Sequence, residues 1–438
     1  MKKIVTKFGG SSLADAGQFA KVKAILEMDP ARKYVVLSAP GRRFKDDDKV
    51  TDLLYRCHRQ RSAGEDYQDT FDLIAARYMD IAEELGLRCD LGAALDEVNE
   101  NIAAGASADY CASRGEYLNG LLLADYLDWR FLDAAQAVKF DAQGVLDSEE
   151  TNRVLGQLLA DGVPTVVPGF YGALPDGSIH TFSRGGSDIT GAIVARATEA
   201  DVYENWTDVS GFLMADPRIV TNPREISAIT YQELRELSYM GASVLHEDAV
   251  FPVHAAGIPT NIRNTNNPEH PGTIISLEAP VSGSVPTITG VAGRKGFSVI
   301  SVEKAMMNSE KGFGRKVLQV VEEAGLSFEH LPTGIDTMCV VVAGEALAPV
   351  REEVVGRILE LTHADTLTVH DHMSIIATVG RGMVHNCGTA ARLFSAMSQA
   401  GINVRMIDQG SSELSIIVGV DDQDFEKTIQ AIYSAFVN

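Results

Sequence analysis

Residues 4–12 read Ile-Val-Thr-Lys-Phe-Gly-Gly-Ser-Ser (IVTKFGGSS), a short strand-like run that ends on two glycines and two hydroxyls. Such a run is a strand giving way to a tight turn, and the pattern from about Ser12 to Glu27 predicts the helix that follows. Further strands are expected at 34–39, 163–170, 178–182, 201–206 and 259–263, with helical patterns between them and across about 51–128. Strands alternating with helices imply an α/β fold whose mostly parallel sheet is sandwiched by helices. YVVLSA (34–39) and PTVVP (164–168) are apolar without alternation, as strands buried on both faces are. The charged stretch GRRFKDDDK (41–49) reads as a mobile loop.

The chain of 438 residues carries 38 Lys and Arg against 60 Asp and Glu, a net charge of −22. So acidic a chain is a poor partner for nucleic acid or an anionic membrane, and any phosphate must be met by local cations. No apolar stretch approaches the roughly 18 residues of a membrane span, and the N-terminal apolar run is too short for a signal peptide. Cys57, Cys89, Cys111, Cys339 and Cys387 are scattered without a C-x-x-C pair, as free thiols in a reducing cytoplasm would be. His370-Asp371-His372, the one tight cluster of metal-ligand types, reads as a solvated strand face, so no metal site is assigned.

The stretch EAPVSGSVP (278–286) marks a domain boundary, placed between 282 and 283. Beyond it, residues 324–341 align without gaps on 400–417, through Ala-Gly, a strand, a turn glycine (Gly334, Gly410) and a second strand. Two βαββαβ repeats are therefore expected, over about 298–365 and 373–438.

Four segments carry chemistry. In KFGGSS, Gly9, Gly10 and Ser11 open a helix N-terminus to an anion, and Lys7 adds a full positive charge from an exposed turn. FSRGGSD (182–188) repeats the device: Arg184 can fork onto a carboxylate, Gly185 and Gly186 make the turn, and Asp188 either caps the helix or acts in the site. TDVSG (207–211) and DPR (216–218) follow a strand on the same edge of the sheet, where Thr207 and Asp208 can bond a base or ribose and Arg218 a phosphate; plain turns are the alternative. SRGE (113–116) places Glu116 on a helix, where an exposed glutamate ordinarily reads as solvated surface.

Together with GASVLH (241–246) and NTNNPEHPGT (264–273), these segments resemble the aspartate kinases of the amino-acid kinase fold, and the two repeats resemble the tandem ACT domains of that family. The resemblance covers essentially the whole chain. It implies a monofunctional enzyme transferring the ATP γ-phosphate to the β-carboxylate of L-aspartate, with Mg²⁺ carried on the nucleotide. The product is 4-phospho-L-aspartate, the entry to lysine, threonine and methionine biosynthesis. By resemblance, Lys7, Arg184 and Asp188 are catalytic. ATP is held by Lys7, Gly9, Gly10, Ser11, Thr207, Asp208, Leu213, Asp216, Arg218 and Ser243. Aspartate is held by Ser38, Thr51, Glu116, Arg184 and Gly185, with Glu116 on its ammonium and Arg184 on a carboxylate. Three features depart from many relatives: they have Tyr at Leu213 and Lys at Ser243, and their loop before Thr51 is shorter than GRRFKDDDK (41–49).

The ACT pair implies feedback by an amino-acid effector at Met307, Gly312, Phe313, Ser327 and Glu329, and a homodimer through these domains. An acidic Glu329 suits lysine, with threonine the other candidate. Two readings compete: a sibling kinase acting on another carboxylate such as glutamate, and a non-catalytic amino-acid sensor.

Overall fold

The structure is a computed structural model and describes residues 2–437 except 184, 242–246 and 279–285; of 247, 248 and 385 only the backbone is described. The predicted boundary at 282/283 lies outside the described residues. The chain forms two compact units, the first Met1–Phe212, Ser227–Tyr231 and Val244–Pro280, the second Leu213–Ile226, Gln232–Ser243 and Val281–Asn438.

The first unit is built on an eight-stranded sheet. In chain order its strands are β1 (Ile4–Phe8), β2 (Arg32–Leu37), β3 (Arg130–Phe131) and β4 (Thr165–Pro168); the hairpin β5 (Tyr171–Ala173) and β6 (Ile179–Thr181) stands apart, and β7 (Val202–Thr207) returns to the sheet. The two-residue strands β8 (Phe212–Leu213) and β9 (Glu225–Ile226) flank the Asp216 turn, and β10 (Ala228–Thr230), β11 (Thr260–Asn264) and β12 (Thr273–Ser276) complete the sheet. The order is β10-β12-β11-β7-β1-β2-β4-β3, parallel except where β12 runs against β11. Phe8 sits beside both Leu37 and Trp206, Leu37 beside Pro168, and Arg263 beside Trp206. The parallel strands thus end level, and the segments after them share one edge, where open α/β sheets bind ligands.

The strand ends match the sequence reading to within two residues; Val163–Phe170, for example, is trimmed by two at each end to Thr165–Pro168. The helical stretch resolves into four helices, Val50–Ser62, Gln68–Leu85, Leu91–Ala103 and Ala108–Leu127. Asp90 and Ser107 cap the last two by accepting the backbone N–H groups of Ala93 and Tyr110. Their buried faces join β1 and β2 in one core with Phe8, Val35, Leu54, Tyr78, Leu118 and Trp206.

A polar network runs through that core. Glu204 of β7 receives Arg32 Nε at 2.9 Å and Trp206 Nε1 at 2.9 Å, and Arg263 Nη1 lies 3.6 Å away. Both guanidiniums lie over the indole ring, at 5.3 and 4.6 Å from its centroid. A charge this deep is tolerated because each carboxylate oxygen has a cationic partner.

The 41–49 loop, expected to be mobile, is tied down. Arg77, buried in the Gln68–Leu85 helix, donates to Asp47 at 2.7 Å and to the Gly41 carbonyl at 2.6 Å. The Arg43 hydrogen bond, reinforced by the Arg77 charge, holds Asp47 well below the usual carboxylate range. Arg77→Met is expected to lose about 2 kcal/mol of stability, because buried charge-assisted hydrogen bonds disappear while Arg43 keeps Asp47 partly paired. Chemical denaturation measures the loss, and faster tryptic cleavage at Lys45 and Lys49 would locate it in the loop.

The second unit holds a six-stranded antiparallel sheet of β13 (Gly290–Glu303), β14 (Phe328–His330), β15 (Thr337–Ala343), β16 (Thr366–Val379), β17 (Met406–Asp408) and β18 (Ser415–Asp421), in the order β14-β15-β13-β16-β18-β17. β13 and β16 are each 14 residues long, and their pairing shifts register around Phe297, near Gly296 and His372, both with positive φ. On one side of the shift, Phe297–Glu303 pairs with β15 over a core of Ile300, Phe313, Val317 and Val340. On the other, residues 373–379 pair with β18 over a core of Val291, Ile376, Leu393 and Ile432. The first repeat is contiguous, from the end of β13 to the start of β16. The second takes its remaining strand, Gly290–Arg294, from before the first. Ala215 and Val220 complete this second core, which is why 213–226 clusters with the second unit.

His370 and His372 are both exposed on β16, as the solvated reading expects; His372 has φ of 58° at the register shift, and Asp371 between them is engaged by Ser298 and Arg351.

Candidate active site

Lys7 is not in an exposed turn. It is the fourth residue of β1, only 7% exposed, paired in register with Val36 and Asn205. A lysine this deep needs a counter-charge, and Asp188 supplies it at 2.6 Å. Asp188 comes from the first turn of the Gly186–Ala197 helix, whose cap is Gly185 with φ of 58° and no side-chain cap bond. Its carboxylate is therefore not spent on capping; besides Lys7 it accepts Asn205 Nδ2 at 2.8 Å. Strand alternation explains Asn205: Glu204 and Trp206 face the arginine network, so the residue between them faces the opposite side.

β1 ends with the Gly9 N–H donating to Trp206 O, and a single turn of 3₁₀ helix, Gly10–Leu13, follows. The Gly41 N–H donates to Gly10 O at 2.8 Å. A Cβ on Gly10 would lie 2.8 Å from Ala39 O, and one on Gly41 would lie 2.6 Å from the Gly10 carbonyl carbon. The two turns press together with no room for a side chain on either, and sequence reading missed Gly41. A Cβ on Gly9 would come within 3.7 Å of Lys7 Nζ, filling space an anion beside the ammonium would use. Ser11 is exposed beyond this turn.

Glu116 lies on the Ala108–Leu127 helix and is 5% exposed. Gly115 permits this placement: a Cβ there would lie 2.7 Å from the Ala39 Cβ, so the helix rides close over the end of β2. Glu116 accepts a hydrogen bond from the Ala39 N–H, yet its Oε2 is buried with no partner among the described residues. Burial pushes its carboxyl up to about 8, against the pull of the Ala39 N–H and the Arg114 and Lys7 charges. A buried carboxylate with an unused oxygen is an acceptor waiting for a cation.

Ser38 follows β2 and is half-buried, its carbonyl accepting Asn119 Nδ2. Thr51 is half-buried in the first turn of the Val50–Ser62 helix, and Tyr55, one turn on, stands near enough to Glu116 and Asp109 to feel both charges. Phe170, which sequence reading did not single out, has φ of 78°, a left-handed conformation a bulky residue seldom adopts; its N–H donates to Thr190 of the Asp188 helix. Thr207 and Asp208 end β7 on the same edge, bonded to each other at 3.2 Å. The first unit thus brings together Lys7, Gly9, Gly10, Ser38, Glu116, Gly185, Asp188 and Thr207 at or beside the carboxyl edge of its sheet. Arg184 and Ser243 lie outside the described residues.

The second unit holds the remaining predicted positions. Leu213 is in β8, and Asp216 accepts the Arg218 N–H and its guanidinium, at 2.8 and 2.6 Å, closing a turn. Met307 and Phe313 are buried in the first repeat's core. Gly312, with φ of 84°, precedes the Phe313 helix; Ser327 is exposed, and Glu329 accepts the Tyr239 hydroxyl.

This arrangement can hold a phosphate against a buried ammonium and an ammonium against a buried carboxylate. The chain matches the model of the amino acid kinase family over residues 2–264 and that of an ACT domain over 376–436. It is 42% identical to aspartokinase 3 of Bacillus subtilis over 99% of this chain and 98% of that protein. It is 28% identical to the chloroplastic aspartokinase 3 of Arabidopsis thaliana, over 99% of this chain and 81% of that one. The crystal structure of Clostridium acetobutylicum aspartate kinase superposes with a TM-score of 0.93 at 50% identity, covering both chains fully. With matches of this extent along its whole length, the chain belongs to the aspartokinases of the amino acid kinase family.

Proposed function

We propose that this aspartokinase works through the Lys7–Asp188 pair and Glu116 as its two charge-reading elements. The reaction moves the ATP γ-phosphoryl group onto the β-carboxylate of L-aspartate and gives 4-phospho-L-aspartate. The attacking group is already an anion at neutral pH, so no general base is needed. The barrier lies in bringing a carboxylate onto a polyanionic nucleotide, and positioning and charge neutralisation overcome it. Lys7 Nζ neutralises charge on the transferring phosphoryl group. Asp188 and Asn205 hold that ammonium in place, and Gly9, Gly10 and Ser11 cradle phosphate. Glu116 takes the aspartate ammonium, Arg184 and the Gly185 turn a carboxylate, and Ser38 and Thr51 line the same site. Thr207 and Asp208 bond the nucleoside. The observation that carries the substrate assignment is the orphaned Glu116 Oε2, which a zwitterion's ammonium would satisfy.

Among the described residues, no group of three or more His, Cys, Asp or Glu could hold a metal ion. Mg²⁺ would come in with the nucleotide, held mostly by phosphates and water, and would supply charge neutralisation there. Residues 1–282 form the catalytic domain and 283–438 the regulatory one. The effector is lysine rather than threonine, because Glu329 offers a carboxylate to a second ammonium, and the enzyme acts as an ACT-linked homodimer in the cytoplasm. Among the described residues, no helix is long and apolar enough to cross a membrane.

Hydroxylamine trapping of the acyl phosphate, with Mg·ATP and L-aspartate, tests the reading. Aspartyl hydroxamate that falls on adding lysine, and no longer falls in Glu329→Ala, is the expected result. Hydroxamate with glutamate but not aspartate would mean a sibling kinase. None at all, from folded protein that binds ATP, would mean a sensor.

A further inference from the structure

We propose that Asp109 and Thr181 form a latch that sets the length of amino-dicarboxylate the site accepts. The proposal rests on the substrate reading above. Asp109 lies in the first turn of the Ala108–Leu127 helix, seven residues before Glu116. Seven residues are two turns, so both side chains project from one face, about 10 Å apart along the axis. Asp109 is bound by β6 at three points. Its Oδ1 accepts the Thr181 hydroxyl at 3.0 Å, and its Oδ2 accepts the Thr181 N–H at 3.3 Å and lies 2.9 Å from His180 Nδ1. The Tyr55 hydroxyl, from the helix that begins with Thr51, also hydrogen-bonds the Thr181 side chain. The His180 ring is backed by Phe140, edge-on at 4.8 Å between centroids, and by Gly144, where a Cβ would lie 2.8 Å from Nε2.

β6 is the hairpin strand that runs directly into Phe182-Ser183 and the glycine turn opening the Asp188 helix. One carboxylate thus ties the segment leading into the carboxylate-binding turn to the helix bearing the ammonium-binding Glu116. The span between those two subsites bears on whether a C4 or a C5 amino-dicarboxylate fits. Lys7 and Asn205 fix the Asp188 side of the turn to the main sheet, whereas its other side comes from β5–β6, a separate two-stranded sheet that Asp109 fixes to the Glu116 helix. Asp109 and Thr181 are positioning residues: neither is assigned a contact with ATP or aspartate.

The test is steady-state kinetics on the full-length enzyme, with glutamate as a competing ligand. In Asp109→Ala we expect KM for aspartate to rise about tenfold and kcat to stay within about threefold. The ratio of glutamate Ki to aspartate KM should narrow by about tenfold, within the range one methylene can discriminate. Thr181→Val, which keeps the shape and removes the hydroxyl, should move the same way, and Thr181→Ser should restore wild-type values. A purely structural role would lower the melting temperature and the active fraction while leaving KM and the ratio alone. That result, in either Asp109→Ala or Thr181→Val, overturns the latch while leaving the substrate assignment standing. A wild-type enzyme inactive on aspartate overturns both.

Discussion

Lys7→Ala is expected to fold and to lose about 10³-fold in kcat, roughly 4 kcal/mol of transition-state stabilisation. Lys7 is the one cation described beside the glycine turn that is both buried and held: Asp188 lies 2.6 Å away, and Asn205 holds Asp188. Its ammonium needs no reorganisation when charge develops on the phosphoryl group, which is the condition under which a fixed charge contributes most. The same burial adds a stability cost that an exposed lysine would not carry. Removing Lys7 leaves the Asp188 carboxylate with Asn205 and partial access to water, so a loss of about 1–3 kcal/mol accompanies the kinetic loss. Asp188→Asn should reduce kcat less than Lys7→Ala, because the ammonium remains but is no longer oriented. The double variant should be little worse than Lys7→Ala alone, since Asp188 acts through Lys7. Rapid-quench single turnovers on variants checked by circular dichroism measure this. Near-normal turnover in folded Lys7→Ala would remove Lys7 from the mechanism.

Much of this site is legible in the sequence because its devices are local. A strand ending in Lys-Phe-Gly-Gly-Ser, or a helix opening at Gly-Gly-Ser-Asp, declares its geometry within seven residues. What the sequence hides is assembled across long separations. Asn205 reads as an ordinary strand residue until alternation sets it opposite Glu204 and Trp206, and Asp188 is 17 residues away. Gly41 reads as the start of a charged loop, yet it forms the opposing wall of the Gly10 turn, and Arg77, 36 residues on, fixes it there. The loop's charge suggested mobility because its countercharge lay on a distant helix.

The repeats show a second kind of limit. Residues 324–341 and 400–417 align because each segment carries its own helix end, turn and strand. The shared strands do not align, because β13 serves both copies with different halves. In the structure β13 runs for 14 residues, more than twice the usual strand length, but the Gly-Arg-Lys-Gly interruption at 293–296 hides that run in the sequence. The bend at His372, a non-glycine residue at positive φ, has no sequence signal, although His370 and His372 stay exposed as alternation promised.

Glu116 joins substrate binding to stability, and Glu116→Gln should move the two in opposite directions. Burial pushes the Glu116 carboxyl up to about 8, against 4.5 when exposed. Between these values the folded chain holds a proton that the unfolded chain has lost. Stability therefore falls as pH rises through that window, by on the order of 4 kcal/mol, and levels off above 8. Glutamine does not ionise, so Glu116→Gln should remove that slope and raise the melting temperature at pH 8. The same change removes the acceptor for the aspartate ammonium, and KM should rise about 10²-fold. In the wild type, aspartate must bind the ionised form. Its KM should fall about tenfold per pH unit from 6 towards 8, and binding at pH 7 should release close to one proton. Calorimetry in buffers of different ionisation enthalpy counts that proton. A KM flat across this range, or a stabilised Gln variant with wild-type KM, would leave Glu116 a buried acid outside the ammonium site. A more stable enzyme is thus one substitution away but binds its substrate far more weakly, which is the trade expected where a charge is kept buried for a ligand.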